Sequence, residues 1–312
     1  MSALPNRPCR VQVPATSANL GPGFDSFGMA LKLYNRFEFK IQASNGPDII
    51  EILPGTCVDV TGLDEDPVKN ISLQAFSLFC DKAGLPRPSL QLGIEAHIPL
   101  ARGLGSSSSA IVAGLIAGLT MLKPEGWTLD DLIPLAIEIE GHPDNVVPAL
   151  LGGTWLCDVV SDQPFYRALP WPEDWKVLLI VPEKPLLTHQ ARKVLPASVS
   201  LADAVYNLRK ASLWSYAVLQ QDTEAFRHSL EDRLHQPYRA ALIPHFDPIK
   251  EIARQHGALG TVISGAGPSI LVISEAEKER SVIQALEVPF KEEPFKLMRL
   301  SVSTNGAQGE IR

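Results

Sequence analysis

One stretch constrains the fold of this chain more than any other: "HIPLARGLGSSSSAIVAGLIAGLTML", residues 97–122. The run before it, residues 90–98, alternates, with Leu92, Ile94, Ala96 and Ile98 on one face, as a half-buried strand requires. The run after it is apolar on nearly all sides. Its small residues Ala110, Ala113, Gly114, Ala117 and Gly118 let a buried helix pack closely. Between the two lie two glycines and four consecutive serines. A strand feeding through such a loop into a helix presents free N–H groups and the positive end of a dipole, which is an anion site. The same residues also fit a flexible helix-capping loop, and the residues of the loop alone leave both readings open.

Familiar nucleotide loops are excluded. A Walker A loop needs Gly-Lys, which the chain lacks. The third glycine of a dinucleotide fingerprint is replaced by Ser108, and no GxSxG nucleophile elbow occurs. The balance of 28 Lys and Arg against 35 Asp and Glu, net charge -7, argues against nucleic-acid or anionic-membrane partners. The apolar segment at 110–122 is shorter than the roughly 20 residues that span a bilayer. Cys9, Cys57, Cys80 and Cys157 form no CxxC pair, which points away from a metal site or disulfide framework and fits a reducing compartment. The stretch "MSALPNRPCRVQVP" has no signal-peptide core. The expectation is a soluble, cytoplasmic protein acting on small molecules.

Elsewhere, strands are expected at 10–13, 36–42 and 176–181, and helices at 68–82, 128–140 and 204–221. A loop is expected at 14–28, where Pro14, Gly21, Pro22, Gly23 and Gly28 cluster, and a linker at 161–175. Pro134 must lie in the first turn of its helix or kink it. Strands and helices mix without a regular βαβ period, so a doubly wound sheet is not favoured.

Three stretches, "PATSANLGPGFDSFGMAL" (14–31), "PLARGLGSSSSA" (99–110) and "VISGAGPSILVI" (262–273), resemble in order the three motifs of the GHMP small-molecule kinases. The first of them, with "EGHPDNVVPALLGG" (140–153), resembles the homoserine-kinase branch in particular. The likeness runs from about residue 10 to residue 300. "GLGSS" and "GAGPS" indicate only the superfamily, whereas "TSANLGPGFD" and "GHPDNVVPALLGG" are more specific. The resemblance implies a two-domain α+β fold: an N-terminal ribosomal-protein-like α/β domain (1–165) carrying ATP and a C-terminal ferredoxin-like domain (166–312), commonly paired as a homodimer. It implies transfer of the ATP γ-phosphate to L-homoserine in threonine biosynthesis, with Mg2+. A GHMP kinase for another small alcohol and a catalytically silent ligand sensor are the alternative readings.

By that resemblance Pro99, Leu100, Ala101, Arg102, Gly103, Leu104, Gly105, Ser106, Ser107, Ser108 and Ser109 bind ATP, and the N–H groups from Gly103 to Ser108 wrap its phosphates. Ser107 and Glu140 face Mg2+, with Glu138 as the alternative carboxylate. Asn70 contacts adenine. Gly265 and Gly267 approach the phosphate loop, or simply make a hairpin turn. Asp25, Asp144 and Asn145 are the catalytic candidates, and direct attack by an oriented hydroxyl is as consistent with phosphoryl transfer as a general base at Asp144. Asn19, Asp25, His142 and Asp144 hold the substrate. Thr188, Arg192 and Arg239 are offered to its carboxylate, a group arginine reads with two parallel bonds. Taken alone, Asn19 and Asp25 also fit a plain Gly-Pro turn, His142 a loop carbonyl, and either arginine a surface charge.

Overall fold

The structure, a computed structural model, describes residues 7–43, 46–161, 163–287 and 295–312. Residues 1–6 of the amino-terminal stretch and Asp162 of the expected linker lie outside them.

The centre of the first sheet is a pair of antiparallel strands, β1 (Cys9–Ala18) and β2 (Phe27–Ile41). Their pairing corrects the loop expected at 14–28. Ala15, Thr16, Ser17 and Ala18 continue β1 opposite Leu31, Ala30, Met29 and Gly28, after a register shift between Pro14 and Ala15. Such an irregularity lets a strand carry a proline, which has no N–H for the ladder. Only residues 19–26 form the turn. The distal half of β2 pairs with β4 (Leu90–Glu95), which pairs in parallel with β3 (Ile49–Ile52). The proximal end of β2 pairs with β5 (Thr154–Val160). β5 turns back into β6 (Gln163–Leu169), so most of the expected linker at 161–175 is a hairpin strand, and the connector shrinks to residues 170–174. Pro164 and Tyr166 are half-buried while Gln163, Phe165 and Arg167 are exposed, an alternation that Pro164 and Arg167 obscure in the sequence.

The second sheet is antiparallel. Its order is β10 (Phe295–Leu300), β7 (Trp175–Pro182), β9 (Ile270–Glu275), β8 (Ala258–Ile263). Finally β11 (Gln308–Ile311) returns to pair with β1. The chain passes from the first sheet to the second between Leu169 and Trp175, and its end rejoins the first sheet.

The helices expected around the phosphate loop form. α1 (Ile71–Lys82) starts at the Asn70 cap, later than residue 68, and α2 (Ser106–Leu122) is buried along most of its length. The two cross so closely that a Cβ on Gly114 would lie 2.1 Å from the Ser72 carbonyl oxygen. α3 (Leu132–Glu140) begins after a turn in which Thr128 donates to Asp131 through N and Oγ1, and Pro134 falls in its first turn. α4 (Pro143–Leu151) follows at once. These four helices and the first sheet share one core.

On the second sheet, α9 (Phe246–Gln255) and α10 (Ala276–Glu287) cover one face. The other face meets α6 (Leu201–Gln220) and α7 (Thr223–Ser229). That core also contains Leu20 of the β1–β2 turn and Phe27 and Met29 of β2, so the turn at 19–26 sits where the two sheets meet. Two short helices, α5 (Thr188–Lys193) and α8 (Gln236–Ala240), complete this junction. Among the described residues no helix is long and apolar enough to cross a membrane.

Candidate active site

The Gly-Ser loop is clamped by backbone on two sides, which removes the flexible-tract reading. Gly103 and Gly105 have φ of 68° and 66°, the left-handed region that glycine enters at little cost. Thr16 N donates to Leu104 O (3.1 Å), which ties the loop to β1. From the opposite side, Ser264 Oγ donates to Gly103 O (2.7 Å). A Cβ on Gly103 would lie 2.2 Å from Ser264 O, and one on Gly105 1.9 Å from Thr16 Oγ1. Gly265 and Gly267 lie in the turn from β8 to β9, and that turn packs against the Gly-Ser loop. Arg102 is held to backbone, donating to Pro182 O (2.8 Å) and Leu100 O (2.9 Å). The first backbone bond of α2 is Ser109 N to Gly105 O (2.8 Å). The N–H groups of Ser106, Ser107 and Ser108 precede it and have no intrahelical acceptor.

Glu140, the last residue of α3, faces this helix start. It accepts from Ser107 Oγ at Oε2 (3.2 Å) and from Ser108 Oγ at Oε1 (2.8 Å). Glu138 points elsewhere, to Lys82 (3.0 Å) on the surface. Ser109 is turned inward, accepting from Asn35 Nδ2 (3.0 Å).

Glu140 also leads into "HPDN", which is a helix start rather than a loop: Pro143 occupies the first turn of α4, where its missing N–H costs nothing. His142 Nδ1 lies 2.6 Å from Asp144 Oδ1, and Asp144 is 1% exposed. Burial alone would lower the His142 pKa. The hydrogen bond and charge of Asp144, with the charges of Glu140 and Asp25, outweigh burial and raise it. Asn145 accepts from Thr16 Oγ1 (2.7 Å).

The 19–26 turn supplies the remaining groups. Asn19 and Asp25 both have positive φ, 70° and 55°. Asn19 Oδ1 accepts from Asp25 N (2.9 Å), and its Nδ2 donates to Gly265 O (2.8 Å), so Asn19 shapes the turn and ties it to the second sheet. Asp25 accepts two parallel bonds from Arg192 of α5, at 3.2 and 2.9 Å. Arg239 of α8 is 1% exposed, and burial pushes its guanidinium down to about 10. Its bonds go to neutral acceptors: Gly265 O (3.0 Å), Ala191 O (3.3 Å) and His235 Nδ1 (3.2 Å).

A cleft of about 120 Å³ brings together Asn19, Asp25, His142, Asp144, Asn145, Thr188, Arg192 and Arg239 with the loop at 101–107, Glu140 and Gly265. A larger cavity of about 600 Å³ adjoins it across residues 101–102, Ser106, Ser107 and Thr188, and reaches Pro99, Leu100 and Asn70. Asn70 borders that cavity with its amide already engaged. Oδ1 caps α1 at Ser72 N (3.1 Å) and Leu73 N (3.4 Å), and Nδ2 donates to Asp64 O (3.0 Å). Among the described residues no group of three His, Cys, Asp or Glu is placed to hold a metal ion.

Four residues at this site went unassigned by sequence reasoning: Thr16, Phe24, His235 and Ser264. Thr16 and Phe24 lie inside "PATSANLGPGFD", where position within the motif was the available signal. Ser264 lies inside "VISGAGPSILVI", which offered the same signal, whereas the bond of His235 to Gly21 spans 214 residues and leaves no local mark.

Residues 70–153 match the GHMP kinases N terminal domain and residues 214–291 the GHMP kinases C terminal. The chain is 44% identical over 282 residues to the homoserine kinase of a Synechococcus species, 89% of each chain. It is 41% identical over 302 residues to that of Nostoc punctiforme, 96% of this chain and 97% of that one. The crystal structure of homoserine kinase from Cytophaga hutchinsonii superposes with a TM-score of 0.86 at 29% identity, covering 99% of both chains. A mevalonate kinase crystal structure at 16% identity, TM-score 0.70, shares the fold. With the expected motifs gathered into one cleft and relatives this similar along the whole length, the chain belongs to the homoserine kinase family of the two-domain α+β GHMP kinases.

Proposed function

We propose that this protein transfers the γ-phosphate of ATP to the hydroxyl of L-homoserine, giving O-phospho-L-homoserine for threonine biosynthesis. One observation carries the choice of acceptor. Beside the phosphate loop, the small cleft holds an acid, Asp25, and two guanidiniums, Arg192 and Arg239. That is a reader for a zwitterion: the carboxylate goes to the arginines and the ammonium to Asp25. Arg192 and Asp25 pair with one another, and an amino acid inserted between them replaces one ion pair by two. Mevalonate or shikimate brings a carboxylate and no ammonium, leaving Asp25 without its exchange partner.

The triphosphate lies against the N–H groups of Ser106, Ser107 and Ser108, with the nucleoside in the larger cavity beside Asn70. The donor set fits Mg2+: one carboxylate, Glu140, and the hydroxyl of Ser107 are hard oxygens, and this ion keeps several places for phosphate oxygens and water. When bound, Mg2+ supplies neutralisation of charge on the transferring phosphoryl oxygens. Asp144 and Asn145 orient the acceptor hydroxyl, and His142 orients Asp144. Thr188, which borders both cavities, sits where acceptor and phosphate meet.

Two further parts of the proposal concern its setting. The working form is a homodimer, a reading supported by the exposed apolar stripe of Leu201, Leu208, Tyr216 and Leu219 on α6. Four free cysteines support a cytoplasmic location. An ADP-release assay coupled to NADH oxidation, run with homoserine, threonine, shikimate and mevalonate, tests the function. Homoserine is expected to give the highest kcat/KM, and a higher value for any other acceptor overturns the assignment.

A further inference from the structure

Arg239 is an unusual buried charge. Among the described residues no carboxylate forms an ion pair with it, although three lie in its neighbourhood. Asp25 is taken by Arg192. Asp232 accepts the backbone N–H groups of Leu234 (2.9 Å), His235 (2.9 Å) and Gln236 (2.6 Å). Asp144 is bonded to His142. What meets the guanidinium instead is two carbonyl oxygens, the face of Phe24 at 5.2 Å, and His235.

We infer that His235 is a positioning residue for the reaction. As a neutral acceptor it fixes the direction of the Arg239 guanidinium without neutralising it, so the charge stays available to the carboxylate of the acceptor substrate. The inference rests on the assignment of Arg239 to that carboxylate.

The bonding pattern determines the tautomer. A guanidinium only donates, so His235 Nδ1 must accept from Arg239 Nη1 at 3.2 Å and carries no proton. The ring proton is therefore on Nε2, which donates to Gly21 O at 2.8 Å. Asp232 Oδ2 lies 3.6 Å from the same nitrogen, too far to compete. Gly21 belongs to the turn that carries Asn19 and Asp25, so the imidazole joins the arginine of the second sheet to the acid of the first. Phe24 stacks on the imidazole at 5.3 Å and lies under the guanidiniums of both Arg239 and Arg192. A carboxylate in place of His235 would pair with Arg239 permanently. An imidazolium would repel it and lose the acceptor. The ring is fully buried, and burial, together with the Arg239 charge, outweighs Asp232 and keeps it below its ordinary value, hence neutral.

Two substitutions each remove one of the two bonds. In His235→Asn the amide oxygen replaces Nδ1, keeping the acceptor for Arg239 and losing the donor to Gly21. In His235→Gln the amide nitrogen replaces Nε2, keeping Gly21 and losing Arg239. A core histidine with no functional role predicts the same outcome for both. The positioning role predicts a split: homoserine KM within about threefold of wild type for His235→Asn and raised about tenfold for His235→Gln, with ATP KM unchanged in both. Equal homoserine KM values in the two variants overturn the inference. Arg239→Lys, which loses the guanidinium fork, is the separate check on the premise. If its homoserine KM is unchanged, the carboxylate assignment fails and the inference falls with it. If its KM rises while the His235 variants do not split, only the inference fails. Should either His235 variant not fold, the nitrogen-15 spectrum of the wild-type imidazole decides. A pyridine-like Nδ1 and a protonated Nε2 are expected from about pH 6 to 8. A protonated Nδ1 overturns the inference.

Discussion

Replacing Gly103 with alanine separates backbone strain from steric collision when compared with the same change at Gly84. Both glycines have positive φ, 68° and 64°, so both variants carry a backbone penalty of about 1 kcal/mol. Around Gly84 no atom lies within 4 Å of a new Cβ, and the strain is the whole effect. At Gly103 the new Cβ meets Ser264 O at 2.2 Å and Gly267 N at 2.8 Å, both main-chain atoms. Relief requires the turn at 264–267 to retreat by about 1 Å, which breaks the Ser264 Oγ bond to Gly103 O and strains the Gly265 N bond to Ala18 O. At about 1 kcal/mol for each bond, Gly103→Ala costs about 3 kcal/mol in total. For a chain of this size about 2 °C of Tm accompanies each kcal/mol, so a drop of about 6 °C is expected at Gly103 against about 2 °C at Gly84. The loop N–H groups move with the backbone, and a displacement near 1 Å lowers kcat/KM for ATP by about 100-fold. Differential scanning calorimetry and steady-state ADP release at varied ATP measure both quantities. If the two variants lose equal Tm and keep equal kcat/KM for ATP, the clamped loop is not the phosphate site.

Three other outcomes follow from the site. Glu140→Gln is expected to raise the Mg2+ concentration for half-maximal rate by about tenfold. Glu138→Gln, which breaks only the exposed bridge to Lys82, is expected to leave it unchanged; a Mg2+ titration in which both variants behave alike removes the metal role of Glu140. Because the folded pKa of His142 is raised from 6.5, its pairing with Asp144 contributes stability that is fully present below about pH 6.5 and is lost as pH rises through the folded value. Urea unfolding of His142→Gln should therefore show a deficit against wild type that is largest in acid, and a deficit that grows with pH contradicts the pairing. Native protein should react with a thiol reagent at Cys57 alone, because Cys57 is exposed while burial pushes Cys9 up to about 12 and Cys80 up to about 11, and raises Cys157 as well. More than one thiol labelled at the fast rate would show that the first core opens readily.

Where elements carry their own periodicity, the chain reads correctly in isolation. The strand starting at Leu90, which ends at Glu95 rather than Ile98, the buried helix after the serines and the turn at 264–267 each state their form locally. Failures came where a partner overrides local composition. Residues 14–18 read as loop because of Pro14, yet pairing with β2 supplies the ladder that keeps Ala15 to Ala18 extended. Residues 163–169 read as linker because Pro164 and Arg167 break the pattern, yet β5 pairs with every one of them. β11 returns to β1 across nearly the whole chain, and no local pattern announces a partner that distant.

The site divides the same way. From residue order came the position of the Gly-Ser loop between strand and helix, the exclusion of lysine-dependent and dinucleotide loops, and the residues of "ANLGPGFD" and "GHPDN". Those signals are local, because glycine conformation, helix starts and short motifs depend on neighbours in sequence. Only the folded chain decided between Glu138 and Glu140 as the acid facing Ser107, paired Arg192 with Asp25, and left Arg239 among neutral acceptors beside His235. Charge pairing and burial depend on distances between residues up to 167 positions apart, and those distances exist only once both sheets have packed around the 19–26 turn.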